Sequence, residues 1–212
     1  RPVAQRRGDC RQHRVGTRRA AQAAHEVRII GGQWKRSKLP VVDRPGLRPT
    51  PSRVRETLFN WLGQDLKGWR CLDAFAGTGA LGLEAGSRGA AAVTLVEQDP
   101  VLCKSLQATV QRLKAEGVRV ERGDGVTAMR QRAGQGLDLV FLDPPFADGV
   151  NEVLFSAALQ AARQAVGEQG LIYLEAPRTW TADELAQIGL QAHRQGKAGQ
   201  VHFQLLQPLR PQ

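Results

Sequence analysis

Cysteine is scarce in this chain of 212 residues, which has only Cys10, Cys71 and Cys103, with no CxxC pair and no Cys or His at metal-ligand spacing. That scarcity argues against a zinc site and a disulfide scaffold, and it predicts reduced thiols, no metal and a cytoplasmic protein. Long apolar runs are missing as well, since none approaches the roughly 20 residues needed to span a bilayer. We therefore expect no membrane partner.

Acidic residues are rare in the first quarter of the chain. Residues 1–55 hold 15 Lys and Arg against three acids, a net charge of +12, whereas residues 56–212 carry a net charge of −2. A charge concentrated at one end favours an anionic polymer as partner, because neutralised phosphates release counterions. Residues 1–26 also lack aromatic side chains and an apolar signal stretch, so they are predicted to be a disordered basic arm, with a merely solvated tail as the alternative.

Residues 27–47 predict a small basic β-hairpin extension. Val27 to Ile30 is a β-prone run, Gly31 and Gly32 signal a turn, and residues 33–42 suit a second strand. A hairpin of this composition is suited to RNA, because cations hold the backbone while an indole stacks on a base. The side chains concerned are Trp34, Lys35, Arg36 and Lys38. Trp34 has an alternative role in packing the hairpin onto the main domain.

Residues 48–62 predict a helix with Thr50 as its N-cap and Pro51 at the first helical position. Three arginines, Arg48, Arg53 and Arg55, surround the start of this helix. A helix N-terminus attracts anions, so these arginines are predicted to bind RNA. The alternative is a solvated rim.

From residue 70 onward, strand patterns alternate with helix patterns. The predicted strands are 70–74, 92–96, 118–121, 137–142 and 171–175, followed by two strands around a turn at residues 196–199. The helices between them are predicted at 81–88, 101–116, 126–132, 151–166 and 181–187. Alternating units of this kind form an α/β fold with a Rossmann-like, doubly wound and mostly parallel seven-stranded sheet. We therefore expect one such domain over residues 48–212.

A glycine-rich loop follows the first strand of this domain. Gly77, Gly79 and Gly82 match GxGxxG, which alone is a weak signal shared with nicotinamide enzymes. Asp73 ends the preceding strand, and with Phe75 it forms the pattern D-x-F-x-G-x-G. A fixed carboxylate would repel the pyrophosphate of a dinucleotide but would accept an ammonium group. S-adenosylmethionine has an ammonium group and no phosphate, and it is therefore the expected cofactor.

Acids also end the next two strands of the domain. Glu97 follows the second strand and is suited to accept hydrogen bonds from ribose hydroxyls, with Asp99 as the cap of the next helix. Asp124 is suited either to accept from the adenine amino group or to cap its own helix, and both roles stay open.

The segment DPPF follows the fourth strand, as Asp143, Pro144, Pro145 and Phe146. An exocyclic amino group on a base is a poor nucleophile because its lone pair is delocalised into the ring. Asp143 and the Pro144 carbonyl can accept its hydrogen bonds, while the prolines hold these acceptors rigidly and Phe146 offers a stacking face. A lone DPP predicts only a strand exit; after this cofactor loop it favours amine methylation.

Four segments together carry a resemblance to a known family: VRIIGGQWKRSKLPV, GLRPTPSRVRETLFNWL, CLDAFAGTGALGLEA and FLDPPF. From Val27 to the end, the chain resembles the bacterial RsmD family of class I S-adenosylmethionine-dependent methyltransferases. The resemblance implies methylation of guanine N2 in small-subunit ribosomal RNA, either naked or in an assembling subunit, by a monomer.

The resemblance also implies roles for single residues. Asp73, Gly77, Gly79 and Glu97 would line the cofactor, with Asp124 near the adenine. Arg48, Thr50, Arg53 and Arg55 would border the entrance for cofactor or RNA. DPPF would hold the guanine.

Rival functions remain open at the level of sequence. DPPF does not separate guanine N2 from adenine N6, cytosine N4 or a protein glutamine. A nicotinamide-dependent oxidoreductase would explain GxGxxG but neither DPPF nor the basic first 55 residues. A catalytically idle RNA-binding module is disfavoured by the intact cofactor loop.

Overall fold

Seven strands form one twisted sheet in the computed structural model, which describes residues 26–145 and 151–211. The strands of the sheet are β3 (Arg70–Asp73), β4 (Ala92–Glu97), β5 (Val118–Arg122), β6 (Leu137–Leu142), β7 (Val166–Ala176), β8 (Leu190–Ala198) and β9 (Val201–Pro208). The helices are α1 (Ser52–Leu62), α2 (Ala80–Ser87), α3 (Pro100–Leu113), α4 (Gly125–Arg130), α5 (Glu152–Ala165) and α6 (Ala182–Ile188). The predicted α/β architecture is confirmed, while the predicted arm at residues 1–26 lies outside the described residues, Glu26 excepted.

The order of the strands is β5-β4-β3-β6-β7-β9-β8, and β9 runs in the direction opposite to the other six strands of this sheet. Side chains alternate between two apolar layers: Phe141 packs with α1 and α2 on one face, and Leu142 packs with α4 and α5 on the other. The strand order reverses between β3 and β6, where Asp73 pairs with Phe141. In doubly wound sheets, ligands bind at the carboxyl ends of the strands at such a switch point.

The N-terminal extension is a much shorter hairpin than predicted. Its strands are β1 (Val27–Arg28) and β2 (Lys38–Leu39), so the prediction of a second strand over residues 33–42 is wrong. Backbone with positive φ at Gly32 and Arg36 tightens the turn between them. The residues of this turn bond to helix α2 instead of a strand, since the amide of Trp34 donates to Ser87 Oγ over 2.9 Å.

Helix α1 begins one residue later than expected, and the prediction that Thr50 caps it is wrong. Pro51 occupies the N-cap position, with its carbonyl accepting from the amides of Val54 and Arg55. The Thr50 side chain is buried and donates from Oγ1 to Asp143 Oδ2 over 3.3 Å. Thr50 therefore connects the start of α1 to the end of β6.

A buried ion pair joins the extension to the sheet domain. The Glu84 carboxylate, in helix α2, accepts from the amides of Ile30 and Gly31 and lies 3.6 Å from the Arg55 guanidinium. Arg55 in turn donates to the backbone carbonyls of Thr50 and Arg28. Two side chains thus fix β1, the turn after it and the loop before α1 in one arrangement.

Both edges of the main sheet carry charged side chains. Edge strand β8 exposes Arg194 and Lys197 and has a register shift between Ala192 and Arg194, and edge strand β5 exposes Arg119 and Arg122.

Within the described residues, no helix is long and apolar enough to cross a membrane.

Gly82 is required for the contact between α2 and the sheet. A Cβ at this position would lie 2.3 Å from Leu95 Cδ2 and 3.1 Å from Asp73 Cβ, both inside van der Waals contact. We expect Gly82→Ala to lower the free energy of unfolding by about 1–3 kcal/mol in urea denaturation. Gly123→Ala is the matched control, because its Cβ would meet nothing within 4 Å; an equal loss in both variants would contradict the packing argument.

Candidate active site

A cavity of about 710 Å³ opens at the carboxyl ends of β3, β4, β5, β6 and β7. Its volume falls in the range of about 300–1,000 Å³ that is typical of small-ligand sites. Most of the predicted catalytic and cofactor-binding residues line it: Thr50, Phe75, Gly77, Glu97, Asp124, Asp143, Pro144 and Pro145. Of the predicted RNA ligands, Arg48 lines it as well, whereas Asp73 and Gly79 lie behind its wall. A more open groove of about 820 Å³ lies between α1 and residues 30–33 and includes only Lys35 from the predicted site.

The cofactor loop takes its shape from two glycines. Gly77 and Gly79 have φ of +55° and +81°, in the left-handed region that favours glycine, and Gly79 is the N-cap of α2. A Cβ on Gly77 would lie 3.0 Å from Leu47 Cδ1, which shows how closely residues 44–50 cover the loop. The glycines therefore bring bare backbone to the cavity.

Asp73 is fully buried beside this loop and has an unused acceptor. Its Oδ2 accepts from the amide of Gly82 over 3.0 Å, whereas Oδ1 has no hydrogen-bond partner among the residues that the structure describes. Burial, only partly offset by the amide of Gly82, raises the pKa of Asp73 to about 7. A buried, unsatisfied carboxylate oxygen fits a cationic donor such as an ammonium group.

Glu97 and Asp99 follow β4 at the next point around the cavity. Glu97 Oε2 accepts from the amides of Gln98 and Asp99, at 2.6 and 3.2 Å. Asp99 caps α3 through the amide of Val101, as predicted. Asp99 Oδ2 also lies 2.7 Å from Arg44 Nε, an ion pair that fastens the covering loop to the site.

Asp124 caps helix α4. Its Oδ2 accepts from both the amide and the hydroxyl of Thr127, at 2.9 and 2.8 Å. The capping role, one of the two alternatives, is thus confirmed. A contact to adenine stays a prediction, supported by the position of Asp124 on the cavity wall.

Asp143 lies one residue beyond the end of β6 and faces the cavity opposite the cofactor loop. Pro144 is buried and Pro145 is exposed, whereas Phe146 and its predicted stacking face lie outside the described residues. Burial and the neighbouring charge of Glu175 raise the pKa of Asp143 well above the usual carboxyl range. The structure thus brings Asp143, the predicted acceptor for the amine, and the glycine-rich loop to one cavity.

The predicted RNA ligands fall into two groups. Lys35, Arg36, Arg48, Arg53 and Lys38 are exposed, although Lys38 Nζ lies 3.0 Å from Glu26. Arg55 is only 1% exposed and contacts protein groups, so the prediction that it binds RNA is wrong; its charge is needed by Glu84. Trp34 is partly buried against Gly86, which confirms its packing role, and its contact with RNA stays a prediction.

Two residues of the site were not predicted from the sequence. Glu175 is the penultimate residue of strand β7 and lies beside Asp143, and Arg44 holds the covering loop. Glu175 had a usable signal, because it ends the apolar run 171–174 as Asp143 ends its own strand. Arg44 had none, because its partner is 55 residues away. Among the described residues, no cluster of three or more His, Cys, Asp or Glu side chains is placed to hold a metal.

The fold and the site together define a class I methyltransferase: a seven-stranded sheet with one antiparallel strand, a glycine-rich cofactor loop after the first parallel strand and DPP after the fourth. Solved structures support this class. The methyltransferase yhhF from Escherichia coli superposes with a TM-score of 0.72 at 38% identity, covering 87% of this chain and 98% of that one. A methylase from Haemophilus influenzae gives 0.69 at 35% identity, covering 87% and 99%.

The chain belongs to the family described as conserved hypothetical protein 95, whose model matches residues 27–207. A curated relative from Escherichia coli strain K12, named ribosomal RNA small subunit methyltransferase D, is 42% identical over 191 residues, which cover 86% of this chain and 90% of the relative. The resemblance drawn from the sequence is thereby confirmed.

The cofactor of this class is S-adenosylmethionine, and the residues of the site fit it. The unpartnered Asp73 Oδ1 suits its ammonium group, and Glu97 suits its ribose hydroxyls. The bare backbone at Gly77 and Gly79 lets the ligand approach closely.

Cofactor affinity is expected to depend on pH through Asp73. An ammonium group prefers the ionised carboxyl, whose pKa is about 7 without ligand, so the dissociation constant should rise about tenfold from pH 8 to pH 6. Asp73→Asn should bind more weakly and lose this dependence in calorimetric titration. Asp138→Asn, at the opposite end of the sheet, should keep it; an unchanged pH dependence in Asp73→Asn would refute the assignment.

Proposed function

We propose that this chain transfers a methyl group from S-adenosylmethionine to the exocyclic N2 of a guanine in small-subunit ribosomal RNA. The observation that carries the proposal is the position of Asp143 and Pro144 in one cavity with the glycine-rich loop. The name of the 42% identical relative supports ribosomal RNA as the substrate. Guanine N2 follows from the family resemblance.

The residues of the site have separate tasks in this reaction. Bound S-adenosylmethionine supplies an electrophilic methyl group on a sulfonium sulfur. Asp143 and the Pro144 carbonyl accept hydrogen bonds from the N2 amino group, which turns its lone pair out of the ring conjugation toward the methyl carbon. The prolines fix these acceptors before the substrate arrives, so little reorganisation is needed during the reaction.

The target base must leave its stack or lie in a loop to reach this cavity, as in other enzymes that modify single bases. Exposed Arg48 lines the cavity and exposed Arg53 lies in the first turn of α1, while exposed Lys35 and Arg36 lie in the turn of the extension. These four cations are proposed to hold the phosphate backbone, together with the seven arginines of residues 1–26.

The test is methyl incorporation from labelled S-adenosylmethionine into unmodified small-subunit RNA and into partly assembled subunits, followed by nucleoside identification. We expect N2-methylguanosine at one site. N6-methyladenosine or N4-methylcytidine would replace the base assignment, and label in protein alone would refute an RNA substrate. The two RNA arms decide between naked RNA and an assembling subunit as partner.

A second measurement separates the methyltransferase from the oxidoreductase. S-adenosylmethionine should raise the melting temperature of the chain, and a nicotinamide dinucleotide should leave it unchanged. The proposed reaction takes place where ribosomal subunits assemble, so we propose that the protein acts in the cytoplasm. We propose further that it acts as a monomer.

A further inference from the structure

Glu175 lines the cavity beside Asp143, the predicted acceptor for the guanine amine. Leu142 and Leu174 are partners across β6 and β7, so the next residues of these strands, Asp143 and Glu175, lie side by side at the mouth of the sheet. Both line the cavity of about 710 Å³, and Glu175 is only 4% exposed. A carboxyl group is almost never buried to this extent without partners.

The partners of Glu175 fix its orientation. The hydroxyl of Tyr173 donates to Glu175 Oε1 over 2.6 Å, and the hydroxyl of Thr50 donates to Asp143 Oδ2 over 3.3 Å. Two carboxyl groups can share a hydrogen bond only when one of them carries a proton. Because two adjacent buried carboxylates repel each other, this geometry favours one proton held between Asp143 and Glu175.

The surrounding charges favour retention of this proton. Asp73 approaches Asp143 from β3 and adds a third negative charge, and Tyr173 and Thr50 contribute hydroxyls. Among the described residues, Arg55 of α1 is a cation that acts on the pair, and it acts on the side of Glu175. Burial raises the pKa of both carboxyl groups, most strongly that of Asp143.

We propose that Glu175 is a positioning residue that acts through Asp143: the pair holds one proton, which lies on Asp143 in the free chain and passes to Glu175 when the guanine amino group donates to Asp143. This inference rests on the proposed function. Glu175 then donates to Asp143 and holds it in place, so that one oxygen of Asp143 remains free to accept from N2.

The pair also provides a destination for the proton that the reaction releases. The N2 lone pair forms a bond to the methyl carbon, and the bond from that carbon to sulfur breaks, with its electrons remaining on sulfur. The nitrogen becomes cationic and passes its proton to the Asp143 carboxylate. The pair now holds two protons and no charge, and it returns one proton to solvent as the product leaves.

The pH profile of methyl transfer tests this role. In the wild type, kcat should fall on the acid side as the pair gains a second proton and on the alkaline side as it loses the shared one. In Glu175→Gln the amide donates to Asp143 at every pH, so the alkaline limb should vanish while the rate at the optimum stays within about threefold. Glu175→Ala has no donor and should lose about tenfold in kcat.

Two further measurements complete the test. Glu121→Gln removes a negative charge at the end of β5, away from Asp143, and should keep both limbs. In carbon NMR of the cofactor-free chain, the Asp143 carboxyl should titrate in two coupled steps, and in Glu175→Gln in a single step at lower pH. A Glu175→Gln profile with the alkaline limb in its original place, or an unchanged Asp143 titration, overturns the inference. Loss of RNA methylation by the wild type refutes the proposed function instead, while the NMR titration still decides whether the pair shares a proton.

Discussion

Asp143→Ala is expected to reduce methyl transfer about 1,000-fold, because the target amine loses the acceptor that orients its lone pair. The measurement is single-turnover methylation of small-subunit RNA at saturating cofactor. The dissociation constant for S-adenosylmethionine should change by less than about threefold, since Asp73, Glu97 and the glycine loop are intact.

Asp143→Asn is the matched control for this prediction. It keeps an acceptor oxygen but no negative charge, so its rate should fall between those of the wild type and the alanine variant. Near-wild-type turnover of Asp143→Ala with intact cofactor binding would refute the catalytic assignment.

The stability of these variants has its own expected direction. The pKa of Asp143 is raised in the folded chain, so this carboxyl favours folding below its unfolded-state pKa and progressively less as pH rises toward the folded-state value. At pH 7, replacing it should therefore leave the melting temperature unchanged or higher. A rate loss without a stability loss would assign the effect to chemistry.

Glu84→Ala is expected to cost about 3–5 kcal/mol of folding free energy, because it removes the ion-pair partner of the buried Arg55 guanidinium. Arg55 is 1% exposed and Glu84 is fully buried, with 3.6 Å between Arg55 Nη1 and Glu84 Oε1. The same substitution removes the acceptor for the amides of Ile30 and Gly31. Urea denaturation measures the loss.

The matched control is Glu116→Ala, an exposed acid after helix α3, which should change stability by less than about 0.5 kcal/mol. Hydrogen exchange adds a local readout, because the amides of Ile30 and Gly31 should lose protection in Glu84→Ala first. A stability loss below about 1 kcal/mol would show that the pair contributes little beyond its own desolvation.

Much of the fold could be predicted because most strands of the main sheet can be recognised from their own residues. Strand β6 was predicted with its observed bounds, since an apolar run between turn residues needs no distant information. The residues Asp73, Glu97 and Asp143 could be placed in one site for the same reason: in a parallel sheet, strand ends meet at one edge.

The errors concern residues whose roles depend on distant partners. Arg55 has the sequence context of a surface arginine, but its counter-charge lies 29 residues away in α2 and one carbonyl partner 27 residues away in β1. Thr50 is a good N-cap by type, yet its hydroxyl contacts Asp143, 93 residues further along the chain. The residues that follow the turn at Gly32 were assigned to a strand because nothing local indicates that Ser87 accepts from the amides of Gln33 and Trp34.

The charged edge strands have a consequence for how the molecule behaves at high concentration. An exposed strand edge is a template for pairing with another chain. Pairing at either edge of this sheet would desolvate two cationic side chains, which are Arg194 and Lys197 on β8 and Arg119 and Arg122 on β5. The irregular register at Ala192 further interrupts a continuous ladder on β8. Copies of the chain are therefore disfavoured from extending the sheet through either edge.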